Sequence, residues 1–206
     1  MKSHIKAIIF DFGGVLVTWN PRNLYRRFFP GQPQAMEEFL TEINFMEWNV
    51  QQDQGRPFAE GVRALSAQFP QHAHLIRAYH EHWKESIDGS IAGTVDLLVT
   101  LKEKGYPLYI LSNFSKETFS MIHDEFTFIN LFDEIILSGE VKLIKPDPAI
   151  YELCLQRIGR PANECLFIDD SETNTAAANK MGFDTIRFVS PEQLKDELHS
   201  RQILSD

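Results

Sequence analysis

Three short apolar runs in this chain end in residues that carry chemistry. Ala7-Ile8-Ile9-Phe10 runs into Asp11, the stretch from Pro107 to Leu111 into Ser112-Asn113, and Leu166-Phe167-Ile168 into Asp169-Asp170. Short continuous apolar runs bounded by turn residues read as fully buried strands. Helical patterns separate the runs, and strand–helix alternation implies a mostly parallel sheet with right-handed crossovers. The carboxyl ends of such strands share one edge, where open α/β sheets bind their ligands. The pattern therefore predicts that an acid, a hydroxyl, an amide and an acid pair converge from distant parts of the chain.

Between these runs the chain changes character. Gly13-Gly14 lets the backbone turn sharply after Asp11. A second extended stretch, Val15 to Trp19, precedes a turn at Asn20-Pro21. Apolar residues then recur at helical spacing, as in Phe39, Ile43 and Met46, and in Ile76, Tyr79 and Trp83. Breakers at Pro30 to Pro33, at Gly55-Arg56-Pro57 and at Pro70 divide this stretch into several helices. From Asp88-Gly89 onward, strands and helices alternate. Thr94 is expected to cap a helix ending before Gly105. A helix follows from about Ser115, and Glu134 to Leu137 is a short strand. Asp147-Pro148 opens a helix that stops at Gly159. An Ala-rich helix reaches Met181, Thr185 to Val189 is a strand, and the capping box Ser190-Pro191-Glu192-Gln193 opens the last helix. The expected fold is α/β, a Rossmann-like parallel sheet core over residues 1–17 and 88–206 with an inserted α-helical cap over 18–87.

Composition narrows the function. With 206 residues and 43% hydrophobic content the chain can bury a full core, and most of its 16 Phe read as core. A formal net charge of -9 disfavours nucleic acid, while local cations and N–H groups still suit a small phosphorylated ligand. No apolar segment approaches a membrane span. Cys154 and Cys165 lack metal-type spacing and read as buried thiols of a reducing, cytoplasmic protein. The start, Met1 to Lys6, does not read as a signal peptide. His72, His74, His80 and His82 do not share one helix face as pairs and read as solvated. Arg26-Arg27 and Lys142 read as surface, and nothing indicates an oligomeric state.

A fourth element, Lys145-Pro146-Asp147-Pro148, sets a lysine just before a helix N-terminus. Clustered carboxylates repel unless a cation neutralises them, and oxygen-only ligands favour Mg²⁺. A hydroxyl, an amide, a lysine and free N–H groups suit a phosphate. A carboxylate between metal and phosphate is a nucleophile.

These motifs resemble the haloacid dehalogenase-like hydrolase superfamily, in its helical-cap branch. The carriers are Asp11-Phe12-Gly13-Gly14-Val15-Leu16, Leu111-Ser112-Asn113, Lys145 to Tyr151 and Phe167 to Ser171, in the family's order. Within it the chain is most similar to sugar-phosphate phosphatases of the α-glucose-1-phosphatase type. The resemblance implies an aspartyl-phosphate formed on Asp11, with Mg²⁺ held by Asp11, the Gly13 carbonyl and Asp170, and Asp169 beside them, reaching the ion through its direct ligands or through water. It implies that Ser112 and the backbone or side chain of Asn113 bind phosphoryl oxygens, and that Lys145 balances charge on Asp11 and the phosphate. Asn174 stands where many relatives carry another acid.

One position departs from the family. Most phosphatases of this superfamily carry an acid two residues after the nucleophile, where this chain has Gly13. General acid–base help is worth about 10²–10⁴-fold, or roughly 3–5 kcal/mol of barrier. Three accounts compete: a good leaving group such as an anomeric or acyl phosphate, a proton from a cap residue or the substrate, or a weakly catalytic phospho-ligand-binding module. The good-leaving-group account is the leading expectation. A haloacid dehalogenase, with Asp11 attacking carbon, is the alternative chemistry. In the cap, Trp48, Asn49, Gln52 and Arg56 around the Gly55 break are expected to face the site and select the leaving group.

Overall fold

A computed structural model describes residues 4–204, and the first three and last two residues lie outside the described residues. The elements run β1 (Ala7–Phe10), β2 (Val17–Trp19), α1 (Pro21–Tyr25), α2 (Pro33–Glu42), α3 (Phe45–Asp53), α4 (Phe58–Gln68) and α5 (Ala73–Glu81). They continue as β3 (Ile87–Ser90), α6 (Ala92–Glu103), β4 (Leu108–Ser112), α7 (Lys116–Ile122), β5 (Glu134–Leu137) and α8 (Ser138–Val141). The chain closes with α9 (Pro148–Ile158), β6 (Cys165–Asp169), α10 (Glu172–Lys180), β7 (Asp184–Arg187) and α11 (Pro191–Ser200).

Five strands form a parallel sheet in the order β5-β4-β1-β6-β7. The first strand is thus central, which is why its apolar run is unbroken: both faces are covered. Ile8 and Phe10 join a core with α6, α11 and the helices between β2 and β3, while Ala7 and Ile9 face a second core under α9 and α10. This is the period-2 alternation of a strand.

Local chemistry sets the helix ends. The Asp147 carboxylate accepts from the Ala149 N–H at 2.9 Å and Pro148 fills the first helical position, so α9 starts there. The Ser115 hydroxyl accepts from the Glu117 N–H at 3.2 Å and starts α7. At α11 the Ser190 hydroxyl accepts from the Gln193 N–H, but the Gln193 amide reaches back to the Val189 N–H rather than to Ser190. Thr94 does not cap α6: the helix begins two residues earlier, after Ile91, and Thr94 lies buried in its first turn. The Ile91 N–H is taken by the Leu16 carbonyl, so the helix start is fixed by β2's neighbourhood rather than by a side-chain cap.

The stretch around Asp88-Gly89 is itself a strand. β3 pairs antiparallel with β2 in a separate two-stranded ribbon, with Val17 opposite Ser90. The helices α1–α5 are strung between the two strands of that ribbon, so the expected limits at 17/18 and 87/88 cut through both strands. The helices also lack a separate core. Tyr25, Phe39, Phe45, Trp48 and Tyr79 belong to the same apolar cluster as Phe10, Phe12 and Leu16. No helix among the described residues is long and apolar enough to cross a membrane.

Tyr79 is the hub of the helical insert. It stacks on Tyr25 at 6.1 Å and meets Phe45 and Trp48 edge-on at 4.8 and 5.8 Å between ring centres. Truncating a fully buried aromatic residue leaves a cavity that close packing cannot fill. Tyr79→Ala is expected to lower stability by about 3–5 kcal/mol, read by urea denaturation. The neighbouring Trp48 makes tryptophan fluorescence a suitable signal.

Candidate active site

Parallel pairing brings the strand ends together. Phe10 lies opposite Ile110 on β4 and Ile168 on β6. The residues that follow at the ends of these strands, Asp11, Ser112-Asn113 one position beyond Leu111, and Asp169-Asp170, therefore emerge at one edge. One oxygen each from Asp11, Asp169 and Asp170 lies within 4.8 Å of the others.

Asp11 is asymmetrically held. Its Oδ1 accepts from the Ser112 hydroxyl at 2.6 Å and from the Phe12 N–H at 2.7 Å, and pairs with Lys145 Nζ at 3.1 Å. No hydrogen bond from the described residues reaches its Oδ2. Lys145 is buried, and its ammonium has three donors. They meet Asp169 Oδ2 at 2.6 Å, the Leu111 carbonyl at 2.8 Å and Asp11 Oδ1. Lys145 is thus fully engaged by the protein, beneath Asp11 rather than in the open space above it. Burial alone would depress this ammonium, but Asp11 and Asp169 outweigh it and hold its pKa above the ordinary value. Asp11 is pushed up in turn, chiefly by burial. Lys145 opposes the rise and Asp169 adds to it.

The two neighbouring acids differ. Asp169 is wholly buried, and its oxygens take Lys145, the Ser171 N–H at 2.8 Å and the Asn174 amide at 3.0 and 3.1 Å. Asn174 therefore acts on Asp169. Asp170 is exposed to the cavity, and burial followed by the charge of Asp169 raises its pKa. The Asn113 side chain is used elsewhere. Its side chain accepts from the Lys145 N–H at 2.8 Å and donates to the Lys145 carbonyl at 2.9 Å. That amide is spent on holding the lysine's backbone, which leaves only main-chain groups of Asn113 for a ligand.

Above Asp11 lies a cavity of about 210 Å³. Its floor is Asp11, Gly13, Gly14, Ser112 and Asp170, and its walls include Trp19, Trp83 and Phe114. The helical insert closes it with Met46, Asn49, Val50 and Asp53 of α3. Of the four insert residues expected to face the site, only Asn49 does. Trp48 donates its indole N–H to the Gly61 carbonyl at 3.1 Å. Gln52 bonds the Trp48 carbonyl, and Arg56 donates to Gln52 at 2.6 Å. These three knit the insert to itself. Met46 and Asp53 stand three and four residues from Asn49, and Val50 stands four from Met46 and three from Asp53, the spacings of one helix face. Met46 and Val50 are also 55% and 40% exposed, which marks the face that covers no core.

The other tempting clusters stay outside this space. His72 pairs with Glu42 at 2.9 Å, and His80 stacks on Phe58. Among the described residues no histidine belongs to a three-ligand group. Arg27 pairs with Glu85 at the surface. Lys142 is exposed as expected, yet its ammonium also donates to the Gly55 carbonyl at 2.6 Å, tying the insert to the sheet domain.

This fold and these motifs place the chain in the haloacid dehalogenase-like hydrolase family, which it matches over residues 5–182. It is 30% identical over 183 residues to the sesquiterpene phosphatase astK of Aspergillus oryzae, across 88% of this chain and 89% of that one. It is 24% identical over 197 residues to drimenol cyclase drtB of Aspergillus calidoustus, across 94% of this chain but 36% of that one. Among solved structures, the HAD family enzyme bt-2542 of Bacteroides thetaiotaomicron matches with a TM-score of 0.76 and 25% identity, over 94% of this chain and 98% of that one. The complex of wild-type bt-2542 with magnesium and inorganic phosphate matches with a TM-score of 0.70 and 26% identity, over 90% and 95% of the two chains.

The Lys145 network has a measurable cost when broken. Removing one partner of a buried ion pair is worth about 3–5 kcal/mol because a charge is left unpaired. Without the lysine, native Asp11 loses the cation that opposes its rise. The native state then holds a proton where the unfolded chain has released it, so stability falls as pH climbs above the ordinary carboxylate range. Lys145→Met is expected to lose about 3–5 kcal/mol at pH 8 and clearly less at pH 5, measured by chemical denaturation at both pH values.

Proposed function

We propose that this chain is a Mg²⁺-dependent phosphatase that hydrolyses a small phosphorylated metabolite through an aspartyl-phosphate on Asp11. The observation that carries this reading is the posture of Asp11. Three donors grip Oδ1, while Oδ2 is left unengaged at the floor of a cavity it shares with Asp170. A nucleophilic carboxylate needs this combination of fixed orientation and a free oxygen.

The donor set fits a magnesium ion. Three carboxylates cluster here and one ammonium pairs with two of them, so the site carries excess negative charge, and every free ligand atom is oxygen. The backbone makes room for it as well. At Gly14, with φ +79, a Cβ would stand 2.5 Å from Asp170 Oδ2. Asp11, Asp170 and the Gly13 carbonyl would hold the ion, and Asp169 would serve it indirectly by fixing Lys145. When bound, Mg²⁺ supplies charge stabilisation to the phosphoryl oxygens. The magnesium and phosphate bound by bt-2542 support the same assignment by likeness.

The protein's own groups complete the reaction. Ser112 and main-chain N–H groups beside it would orient the phosphoryl oxygens. Lys145 would keep Asp11 ionised for attack, working from below the nucleophile. The helical insert would act as the cap, with the α3 face excluding water. The alternative carbon–halogen chemistry is less well supported, because an excess of carboxylates repels an anionic haloacid.

The cavity walls bear on the substrate. Trp19, Met46, Val50, Trp83 and Phe114 face Asn49, Asp53 and Thr118. A hexose would bring several hydroxyls to a lining with few polar partners. The lining therefore supports a phosphate ester with a small, largely apolar organic group better than a sugar phosphate. The sesquiterpene phosphatase relative points the same way. Buried free Cys154 and Cys165 suit a reducing compartment such as the cytoplasm.

A panel of alkyl, allylic, aryl and sugar phosphates assayed with Mg²⁺ tests the reading. Turnover is expected to favour esters with apolar organic groups, to vanish in chelator and to fall to background in Asp11→Asn. Metal binding requires the carboxylates to shed their protons, and both Asp11 and Asp170 hold theirs above the ordinary range. Mg²⁺ is therefore expected to raise the thermal midpoint more at pH 8 than at pH 5.5. Equal shifts at both pH values would argue against carboxylate ligation.

A further inference from the structure

Gly13 stands where an acid would protonate the leaving group, and nothing in the structure fills the space. A Cβ built there meets no atom within 4 Å. One carboxyl group from outside the sheet edge borders the same cavity. Asp53, the last residue of α3, lines it together with Asp11, Gly13, Gly14 and Ser112.

Asp53 is held from several directions. Its Oδ2 accepts from the Asn49 amide at 2.9 Å. That amide is itself oriented, because Asn49 Oδ1 accepts from the buried Tyr79 hydroxyl at 3.2 Å and so turns the Asn49 NH₂ toward Asp53. The backbone of Asp53 is anchored to the sheet domain. Its carbonyl accepts from the Ser138 hydroxyl at 2.5 Å, and the Gly55 carbonyl two residues on accepts from Lys142 at 2.6 Å. Ser138 in turn accepts from the Phe114 N–H at 2.9 Å, in the loop that follows Ser112-Asn113.

We infer that Asp53, carried by the helical insert, is the general acid and base of this site, in place of the acid absent at position 13. The inference rests on the phosphatase reading. In the first step Asp11 Oδ2 bonds to phosphorus as the ester P–O bond breaks. The bond pair goes to the ester oxygen, which takes the proton of Asp53 and leaves as an alcohol. In the second step water bonds to phosphorus and passes a proton to the Asp53 carboxylate. The P–O bond to Asp11 breaks, its electron pair returns to the carboxylate, and inorganic phosphate leaves. Atoms and charge balance, and Asp53 ends protonated as it began.

The electrostatics agree with that role. Burial pushes the Asp53 carboxyl up to about 8, a backbone hydrogen bond at Ser115 opposes the rise, and the charge of Asp11 adds to it. A carboxyl group raised in this way lies nearer the operating pH that suits a general acid and base.

The test uses the full chain with Mg²⁺ and compares p-nitrophenyl phosphate, whose leaving group needs no proton, with an alkyl phosphate of similar size. Asp53→Asn is expected to lose about 10²–10⁴-fold in kcat on the alkyl ester. On p-nitrophenyl phosphate it should give a burst of one nitrophenolate per enzyme, then a slow phase, with the phosphorylated enzyme accumulating by intact mass. A merely structural role would lower both substrates together without a burst. Adding Gly13→Asp to Asp53→Asn is expected to recover at least about tenfold on the alkyl ester, since the side chain enters open space. The inference is overturned if Asp53→Asn stays within about threefold of the native protein on both esters, or loses both equally with no phosphorylated enzyme. A native protein inactive on every phosphate ester overturns the phosphatase reading instead.

Discussion

The site depends on one buried ammonium. Lys145 lies under the carboxyl edge of the sheet with two carboxylates and a carbonyl around it, and each of its three donors is taken. Burying charges costs several kcal/mol per ion unless geometry and further hydrogen bonds compensate. Here the compensation comes from three strands at once. The Leu111 carbonyl comes from β4, Asp11 from the end of β1, and Asp169 from the end of β6. Strand register fixes all three, so the lysine meets a preformed cradle. Asn113 holds the lysine's own backbone by both N–H and carbonyl. Asp169 is pinned at the start of α10 by Ser171 and Asn174. Each partner is thus fixed by something other than the ion pair, which removes the entropy cost of ordering long charged side chains.

The same logic extends upward into the helical insert. A single apolar cluster runs from Phe10 and Phe12 of the sheet domain through Tyr25 and Tyr79 of the insert. Phe12 is the link: it follows Asp11 directly and packs edge-on against Phe114 and Phe119 at 5.4 and 5.3 Å. Phe114 lines the cavity and meets Trp83, which leads into β3. The walls of the cavity and the core of the protein are therefore one packed structure. Polar tethers from Ser138 and Lys142 add a fixed register at the end of α3.

How much of this is legible in the sequence follows from which residues speak for themselves. Strand-end acids are legible because a continuous apolar run with an abrupt polar end has one structural meaning in an α/β chain. Asp11, Ser112 and Asp169-Asp170 converge for that reason. The helix start at Asp147-Pro148 is legible because both residues act locally. Thr94 misleads, since its hydroxyl is equally suited to a cap or to a buried turn, and a distant carbonyl from Leu16 decides the matter. The β2–β3 ribbon is obscure because its strands are 3 and 4 residues long and pair across some seventy positions. The face of α3 is misassigned because nearness to the Gly55 break picks out Trp48 and Gln52, whereas the exposure of Met46 and Val50 marks the true wall. That signal needs the helix phase, which only packing supplies.

Two adjacent glycines show how differently one residue type is used. Gly14 is glycine because there is no room: its φ is positive and a Cβ would strike the Asp170 carboxylate. Gly13 has ample room and a φ outside the left-handed region, so neither strain nor crowding explains it. A position without a steric reason for glycine is one where the missing side chain is chemically dispensable. Dispensability at this place needs either a leaving group that departs without a proton or another proton source in the cavity, and the sheet edge offers no such source: its remaining acids are tied to Lys145 or face the proposed metal. The cavity's other side offers Asp53. An acid placed on the insert, as inferred for Asp53, would separate attack from protonation. Asp11 is set by strand register, and Asp53 by how α3 packs on α8 and the loop after β4. Proton transfer from Asp53 would then depend on the seating of the insert, so the packing that closes the cavity would also complete the proposed chemistry.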